Sequence, residues 1–246
     1  MINKLKEVFP IHYQSGNILL ICADCMDVMK HIDDKEFQLS CVDPPYGIGE
    51  DGKKNHSRGH KGIPATRFSI KFWDKEPPLK EYFQELLRVS ANQIIFGGNY
   101  FIDHLYSSPC MIVWDKLNSG DFADCELAWT SFMSAVRKFS YRWNGMLQGD
   151  MKHKEKRIHP TQKPIALYRW IFQNYAKPGQ LIIDTHLGSG SSAIAAHYSG
   201  LDFVGCELDQ EYFDASVKRF KAETRQQGLF EPGKDIVKKF RQESII

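Results

Sequence analysis

The stretch from Leu181 to Glu207 constrains the fold more than any other part of this chain. It reads as a buried strand, a glycine turn, a helix and a second strand. The turn, Gly188-Ser189-Gly190-Ser191-Ser192-Ala193, matches G-x-G-x-x-G/A between strand and helix, the setting in which that pattern has meaning. Glycine reaches dihedrals closed to other residues and lets the backbone approach a ligand. Glu207 ends the second strand, where a carboxylate can take both hydroxyls of a ribose. An adenosine-containing ligand fits this unit, whether NAD, FAD or S-adenosylmethionine; the plainer reading is a tight turn beside a surface glutamate. Asp184, just before the turn, would repel a pyrophosphate but suit the ammonium of a methionine moiety.

Around this unit, apolar strand-like runs alternate with helical runs, which predicts an α/β protein with a largely parallel sheet. Strands are expected at Ile18–Cys22, Phe37–Val42, Gln93–Phe96, Met111–Trp114 and, beyond Leu181–Asp184, at Phe203–Glu207. Leu127–Phe132 and Phe139–Trp143 read as weaker, antiparallel strands. Helices are expected after Cys22 through about Ile32, and over 79–90, 164–175, 191–199 and 210–224. The 246 residues suit one large domain, taken here as 1–230 with a short recognition region near 117–150 and a polar tail over 231–246.

Phe37–Val42 stops at Asp43-Pro44-Pro45-Tyr46, because two prolines cannot continue a strand ladder. Ligands of open α/β sheets bind outside the carboxyl ends of the strands. There the Asp43 carboxylate and the Pro44 carbonyl can accept hydrogen bonds from an exocyclic amino group. Tyr46 offers a flat face to a base. The plain alternative is a strand terminator.

Three motifs in order, Asp43-Pro44-Pro45-Tyr46, then Ile158-His159-Pro160-Thr161-Gln162-Lys163-Pro164, then Asp184-x-x-x-Gly188-x-Gly190, resemble the amino-methyltransferases of DNA. The tetrad precedes the cofactor turn, so the chain resembles the circularly permuted beta group. The resemblance runs from about Ile18 to Arg219. It implies a Rossmann-like methyltransferase sheet with helices on both faces, S-adenosylmethionine as donor and double-stranded DNA as substrate. By match, Asp43, Pro44, Pro45 and Tyr46 hold a flipped-out base. Asp24, Asp43, Asp184, Gly188, Gly190, Ser191 and Glu207 line the cofactor, and His159, Thr161 and Lys163 support its methionine end. His186 stands where the family usually has an aromatic residue. Asp43 favours adenine N6, because cytosine-N4 enzymes typically carry Ser there. Rival readings are a cytosine-N4 enzyme, a release-factor glutamine methyltransferase (Asn-Pro-Pro-Tyr, unpermuted), an NAD-dependent oxidoreductase, and a catalytically silent DNA binder.

A net charge of +2 gives no global basic field, so nucleic-acid contacts must be local. Lys53, Lys54, His56, Arg58, His60, Lys61 and Arg67 follow the tetrad in a long polar loop, and Lys152, Lys154, Lys156 and Arg157 precede His159. Both clusters are expected to meet phosphates, against a plain reading as solvated charge. The aromatics Trp129, Phe132, Tyr141 and Trp143 read as core. Gln226-Gln227-Gly228-Leu229-Phe230 resembles the peptide by which replication proteins dock on the sliding clamp, with Gln226, Leu229 and Phe230 as the docking residues. No signal peptide or membrane span is visible, so a cytoplasmic location is expected. The six cysteines, Cys22 and Cys25 included, read as small buried hydrophobes rather than a metal or redox site. No metal and no covalent intermediate are expected, and the resemblance allows a homodimer.

Overall fold

The computed structural model describes residues 1–50, 71, 74–118, 123–144 and 147–225. In chain order the elements are α1 (Ile2–Val8), β1 (His12–Ser15), β2 (Ile18–Cys22), α2 (Cys25–Met29), β3 (Phe37–Val42), α3 (Lys80–Val89), β4 (Ser90–Phe96), β5 (Met111–Asp115), β6 (Cys125–Thr130) and β7 (Arg137–Ser140). They continue with β8 (Trp143–Asn144), β9 (Leu147–Gln148), α4 (Ile165–Tyr175), β10 (Leu181–Asp184), α5 (Ser191–Tyr198), β11 (Asp202–Glu207) and α6 (Gln210–Arg225).

Nine strands form one sheet in the order β1-β2-β11-β10-β3-β4-β6-β5-β7. Neighbours from β2 through β4 are parallel; β1 and β6 run antiparallel to the strands beside them. Alternating side chains feed two cores. Ile18, Leu20, Leu39, Ile182 and Phe203 pack with α4, α5 and α6. Leu19, Ile21, Phe37, Ile183 and Val204 pack with α1, α2 and α3. Burial on both faces is why β2 and the first three residues of β10 read as unbroken apolar runs. The expected α/β architecture with helices on both faces is what is found.

Several elements differ from the sequence reading. The chain passes from α3 into β4 without a loop, so β4 begins at Ser90 rather than Gln93. β6 is antiparallel as expected, but β7 pairs parallel with β5. Trp143 belongs to the small β8–β9 hairpin, not to β7. α1 and β1 were not foreseen. β6, which falls in the recognition region expected near 117–150, lies inside the main sheet, between β4 and β5.

From β10 the chain moves through α5 to β11 on one side; from β3 it moves through α3 to β4 on the other. The order therefore reverses between the adjacent strands β10 and β3, and such a reversal opens a crevice at the carboxyl ends of the strands. β10 ends at Asp184 and β3 at Val42, one residue before Asp43. Residues far apart in the chain thus meet at one crevice.

Candidate active site

Asp43 is gripped from two directions. The Tyr46 hydroxyl donates to Asp43 Oδ1 at 2.6 Å, and the Lys163 ammonium pairs with Oδ2. Lys163 Nζ also stands 3.3 Å from the Tyr46 hydroxyl, 3.2 Å from Glu126 Oε2 and 4.7 Å from the Phe96 ring centre. Glu126, on β6, pairs in turn with Lys116. Burial pushes Asp43 above the usual carboxylate range, and Lys163 offsets this only in part. Burial also acts to raise Glu126, but Lys163 and Lys116 outweigh it and hold the group at about 2. For Lys163 burial disfavours the charge, yet the two carboxylates raise its pKa above the ordinary lysine value.

Tyr46 is packed against other aromatics. Tyr100 stacks on it at 5.0 Å between ring centres and 17° between planes, and Phe101 meets it edge-on at 6.0 Å. Gly97, at φ +70°, lies so close that a Cβ there would fall 2.2 Å from the Tyr46 ring. Glycine at 97 is what admits the tyrosine.

Across the crevice, Gly188 and Gly190 both have positive φ, +52° and +74°. Gly190 caps α5, so the first amides of that helix face the turn. Glu207 Oε2 accepts from the Gly188 amide at 2.8 Å and Oε1 from the Asp209 amide at 3.0 Å. These bonds fix the carboxylate's direction, and each oxygen keeps lone-pair capacity for a ribose hydroxyl. Burial pushes Glu207 up, against those two backbone bonds. Asp184 is 1% exposed; it accepts from Ser192 Oγ at 2.5 Å and the His186 amide at 3.0 Å. Burial raises it to about 7, against the bonds from Ser192 and the His186 amide. A buried carboxylate of this kind suits a cationic ligand group.

His159 packs over the turn, 3.8 Å from a Cβ built on Gly188, and lies 4.4 Å from the Tyr212 ring. Thr161 Oγ1 is 3.1 Å from its Nδ1. Burial, aided by Lys163 and Arg157, drives the imidazole down to about 3, so it is neutral. Asp24 caps α2 through the Met26 amide at 2.8 Å, and Ala23 beside it bonds the Glu207 carbonyl. These residues and the two glycines gather round one crevice.

Three residues sit otherwise than expected. The Lys163 ammonium points to the tetrad, and only its backbone carbonyl, bonded by Ser191 Oγ at 2.7 Å, touches the turn. The Ser191 hydroxyl is used up inside the protein, donating to that carbonyl and accepting from Arg219 at 2.9 Å. The Arg157 guanidinium lies over Trp143, 5.6 Å from its ring centre, and bonds the Pro160 carbonyl at 3.3 Å. Lys152, Lys154 and Lys156 beside it are exposed. Lys53, Lys54, His56, Arg58, His60, Lys61 and Arg67, and the Gln226, Leu229 and Phe230 peptide, lie outside the described residues. Trp129 and Trp143 are buried, and Phe132 and Tyr141 partly so.

Sequence reading missed Glu126, Lys116, Tyr100 and Asp74. Asp74, 2% exposed, takes the Gly47 amide at 2.8 Å and the Glu50 amide at 2.7 Å, fixing the chain just after the tetrad. Lys71 reaches Asp209 at 2.6 Å and Glu211 at 2.7 Å, near the Glu207 end of the crevice. Among the described residues no cluster could hold a metal ion, and no helix is long and apolar enough to cross a membrane.

A crevice at a sheet reversal, with a glycine turn and acidic strand end on one side and an Asp-Pro-Pro-Tyr tetrad on the other, can be compared with known proteins. The structure of M1.HpyAVI in complex with S-adenosylmethionine aligns with a TM-score of 0.52 at 20% identity, covering 82% of this chain and 99% of that one. The PvuII DNA methyltransferase, cytosine-N4-specific, aligns with a TM-score of 0.57 at 12% identity, covering 87% and 92%. The fold is that of the S-adenosylmethionine-dependent methyltransferases. The family model of N6/N4 DNA methylases matches residues 108–218. "Putative methylase YubD" of Escherichia coli (strain K12) is 35% identical over 227 residues, covering 85% of this chain and 93% of its own length. The chain belongs to the N6/N4 DNA methyltransferase family, whose members use S-adenosylmethionine.

Proposed function

We propose that this protein transfers a methyl group from S-adenosylmethionine to N6 of an adenine flipped out of double-stranded DNA. The observation that carries the reading is the meeting of tetrad and glycine turn at the carboxyl ends of the adjacent strands β3 and β10. Adenine rather than cytosine rests on Asp43 standing where N4 enzymes typically carry Ser.

The chain's groups fit the cofactor. Glu207 has oxygens for the ribose, Asp24 next to Ala23, which bonds the Glu207 carbonyl, is assigned to the adenine end, and Asp184 is a desolvated carboxylate suited to the methionine ammonium. When bound, S-adenosylmethionine supplies a methyl made electrophilic by its sulfonium. The protein's work is then placement. Asp43 and the Pro44 carbonyl accept hydrogen bonds from the exocyclic amino group and favour a more tetrahedral nitrogen. Tyr46 gives the base a stacking partner, worth roughly 1–3 kcal/mol against the cost of leaving the duplex stack. In-line placement alone can lower a barrier by about 7–11 kcal/mol. Lys152, Lys154 and Lys156 are assigned to DNA phosphates for their exposure, and the basic residues between Lys53 and Arg67 for their charge.

The test is transfer from labelled S-adenosylmethionine to unmethylated DNA, followed by nucleoside mass spectrometry. N6-methyladenine is the expected product. N4-methylcytosine would overturn the base assignment and keep the chemistry. Cofactor binding with no methylated nucleoside would leave a silent DNA binder.

A further inference from the structure

The ion cluster behind Asp43 is assembled from four places in the chain. Asp43 follows β3, Lys163 precedes α4, Glu126 lies on β6 and Lys116 follows β5. The Lys163 side chain is 3% exposed, Asp43 15% and Glu126 24%. Burying ions costs more than filling the same space with apolar side chains, so such a cluster is poorly explained by stability alone. Its place beside the tetrad suggests a use in positioning.

We propose that Lys163 and Glu126 form a positioning couple for the base-binding carboxylate: the Lys163 ammonium fixes Asp43, and Glu126, held by Lys116, fixes the ammonium. This rests on the function proposed above. The geometry shows why two partners are needed. Asp43 Oδ1 accepts the Tyr46 hydroxyl at 2.6 Å and keeps a second lone pair for a base amino group. Once the amino group is there, Lys163 on Oδ2 is what keeps the carboxylate from turning. Lys163 cannot swing toward solvent because Glu126 holds it from the far side at 3.2 Å and the Phe96 ring lies 4.7 Å away. The couple also ties β6 to the tetrad.

The groups acting electrostatically on Asp43 are Lys163, Glu126 and Tyr46, with Asp184 across the crevice and the buried Cys41 and Tyr168 nearby. Lys163 stabilises the carboxylate form; Glu126 opposes it. A mere neighbouring charge at 126 would, when removed, lower the Asp43 midpoint, whereas a Glu126 that holds the ammonium on Asp43 would, when removed, loosen Lys163 and raise it. The full-length protein is labelled with 13C at aspartate carboxyls, and Asp43 is assigned by its loss in Asp43→Asn. Glu126→Gln and Lys163→Met should both raise the Asp43 midpoint, and Lys163→Arg should keep it near wild type. In methyl transfer, Glu126→Gln and Lys163→Met should each reduce kcat by roughly 10–100-fold, the usual worth of a supporting partner. The acid limb of kcat should move with the midpoint, and KM for DNA should change less. Unmoved midpoints, or a fall in Glu126→Gln, would overturn the couple. If Lys163→Met does not fold, Glu126→Gln decides alone: no upward shift overturns it. Absence of methyl transfer by wild-type protein would overturn the proposed function, while the titration would still judge the couple.

Discussion

Tyr100 lies stacked on Tyr46, with ring centres 5.0 Å apart and planes 17° from parallel. One face of the tyrosine assigned to the base is therefore covered by a ring that is itself 48% exposed. A base entering on that face must displace Tyr100 first. An aromatic pair is worth about 0.5–1.5 kcal/mol. Tyr100→Ala should lower KM for DNA by roughly two- to tenfold with kcat little changed. Steady-state kinetics at saturating cofactor would decide; a rise in KM would make Tyr100 a second stacking platform.

Asp43→Asn should abolish turnover and leave S-adenosylmethionine binding measurable by calorimetry. The amide keeps the size of the side chain but loses the charge that Lys163 and the base amino group both use. Full activity in this variant would defeat the assignment of Asp43.

Asp184 gives the binding reaction a pH dependence. Its folded-state pKa is raised to about 7, so the protonated form dominates below that pH. A cationic ammonium needs the carboxylate. Affinity for S-adenosylmethionine should rise as pH increases from 6 to 8, with proton release on binding near pH 7. His159 at about 3 and His186 at about 4 do not titrate in that window. Asp184→Asn should remove the dependence. The sign for apo stability is the reverse. The folded state holds the proton more tightly than the unfolded chain, so stability contributed at low pH is lost between about pH 4 and pH 7. Calorimetry in buffers of different ionisation heat, with thermal melts over the same range, checks both.

Arg219 joins α6 to the segment before α4: it bonds Glu155 at 2.6 Å and the Ser189 carbonyl at 2.8 Å. Glu155 in turn accepts from the Ile165 amide at the start of α4, at 2.9 Å. Arg219→Ala leaves a buried carboxylate without its cation. The expected loss is about 3–5 kcal/mol in urea unfolding. A loss below about 1 kcal/mol would mean that water or a neighbour replaces the guanidinium.

Neutralising Lys152, Lys154 and Lys156 together should flatten the salt dependence of DNA binding. For every phosphate that no longer meets a lysine, the slope of log K against log salt falls by about 0.9. Filter binding across a salt series would show it, and an unchanged slope would remove these residues from the interface.

Those parts of the site carried by local patterns were legible in the sequence. The double proline ends β3, and the Gly188 and Gly190 turn sits between an apolar strand and a helix, so both crevice walls could be placed. The ion cluster was not legible. Glu126 looks like one polar residue in a weak strand, and its partners Lys163 and Asp43 reach it only through the folding of the sheet. The motif places Lys163 with His159 and Thr161, which lie by the Gly188 turn, whereas its long side chain crosses to the other wall. Tyr100 had one signal: Gly97-Gly98 at the end of β4, where a Cβ at Gly98 would fall 2.4 Å from Trp129 Cβ and one at Gly97 would strike Tyr46. Paired glycines at a strand end mark close approach, but not of what.

The strand order has a consequence for how the chain acquires its structure. β10, in the middle of the sheet, is drawn from residues 181–184, long after the strands that flank the β10–β11 pair, β2 and β3. A chain growing from its N-terminus makes β2 and β3 early, yet their inner edges find no partner until more than a hundred further residues have followed. Pairings of such long sequence separation form slowly and leave strand edges open to other chains meanwhile. The last quarter of the molecule is thus its keystone: a nascent chain stopped before Leu181 would hold two half-sheets with nothing to join them, and with them two halves of a crevice that exists only once the sheet has closed.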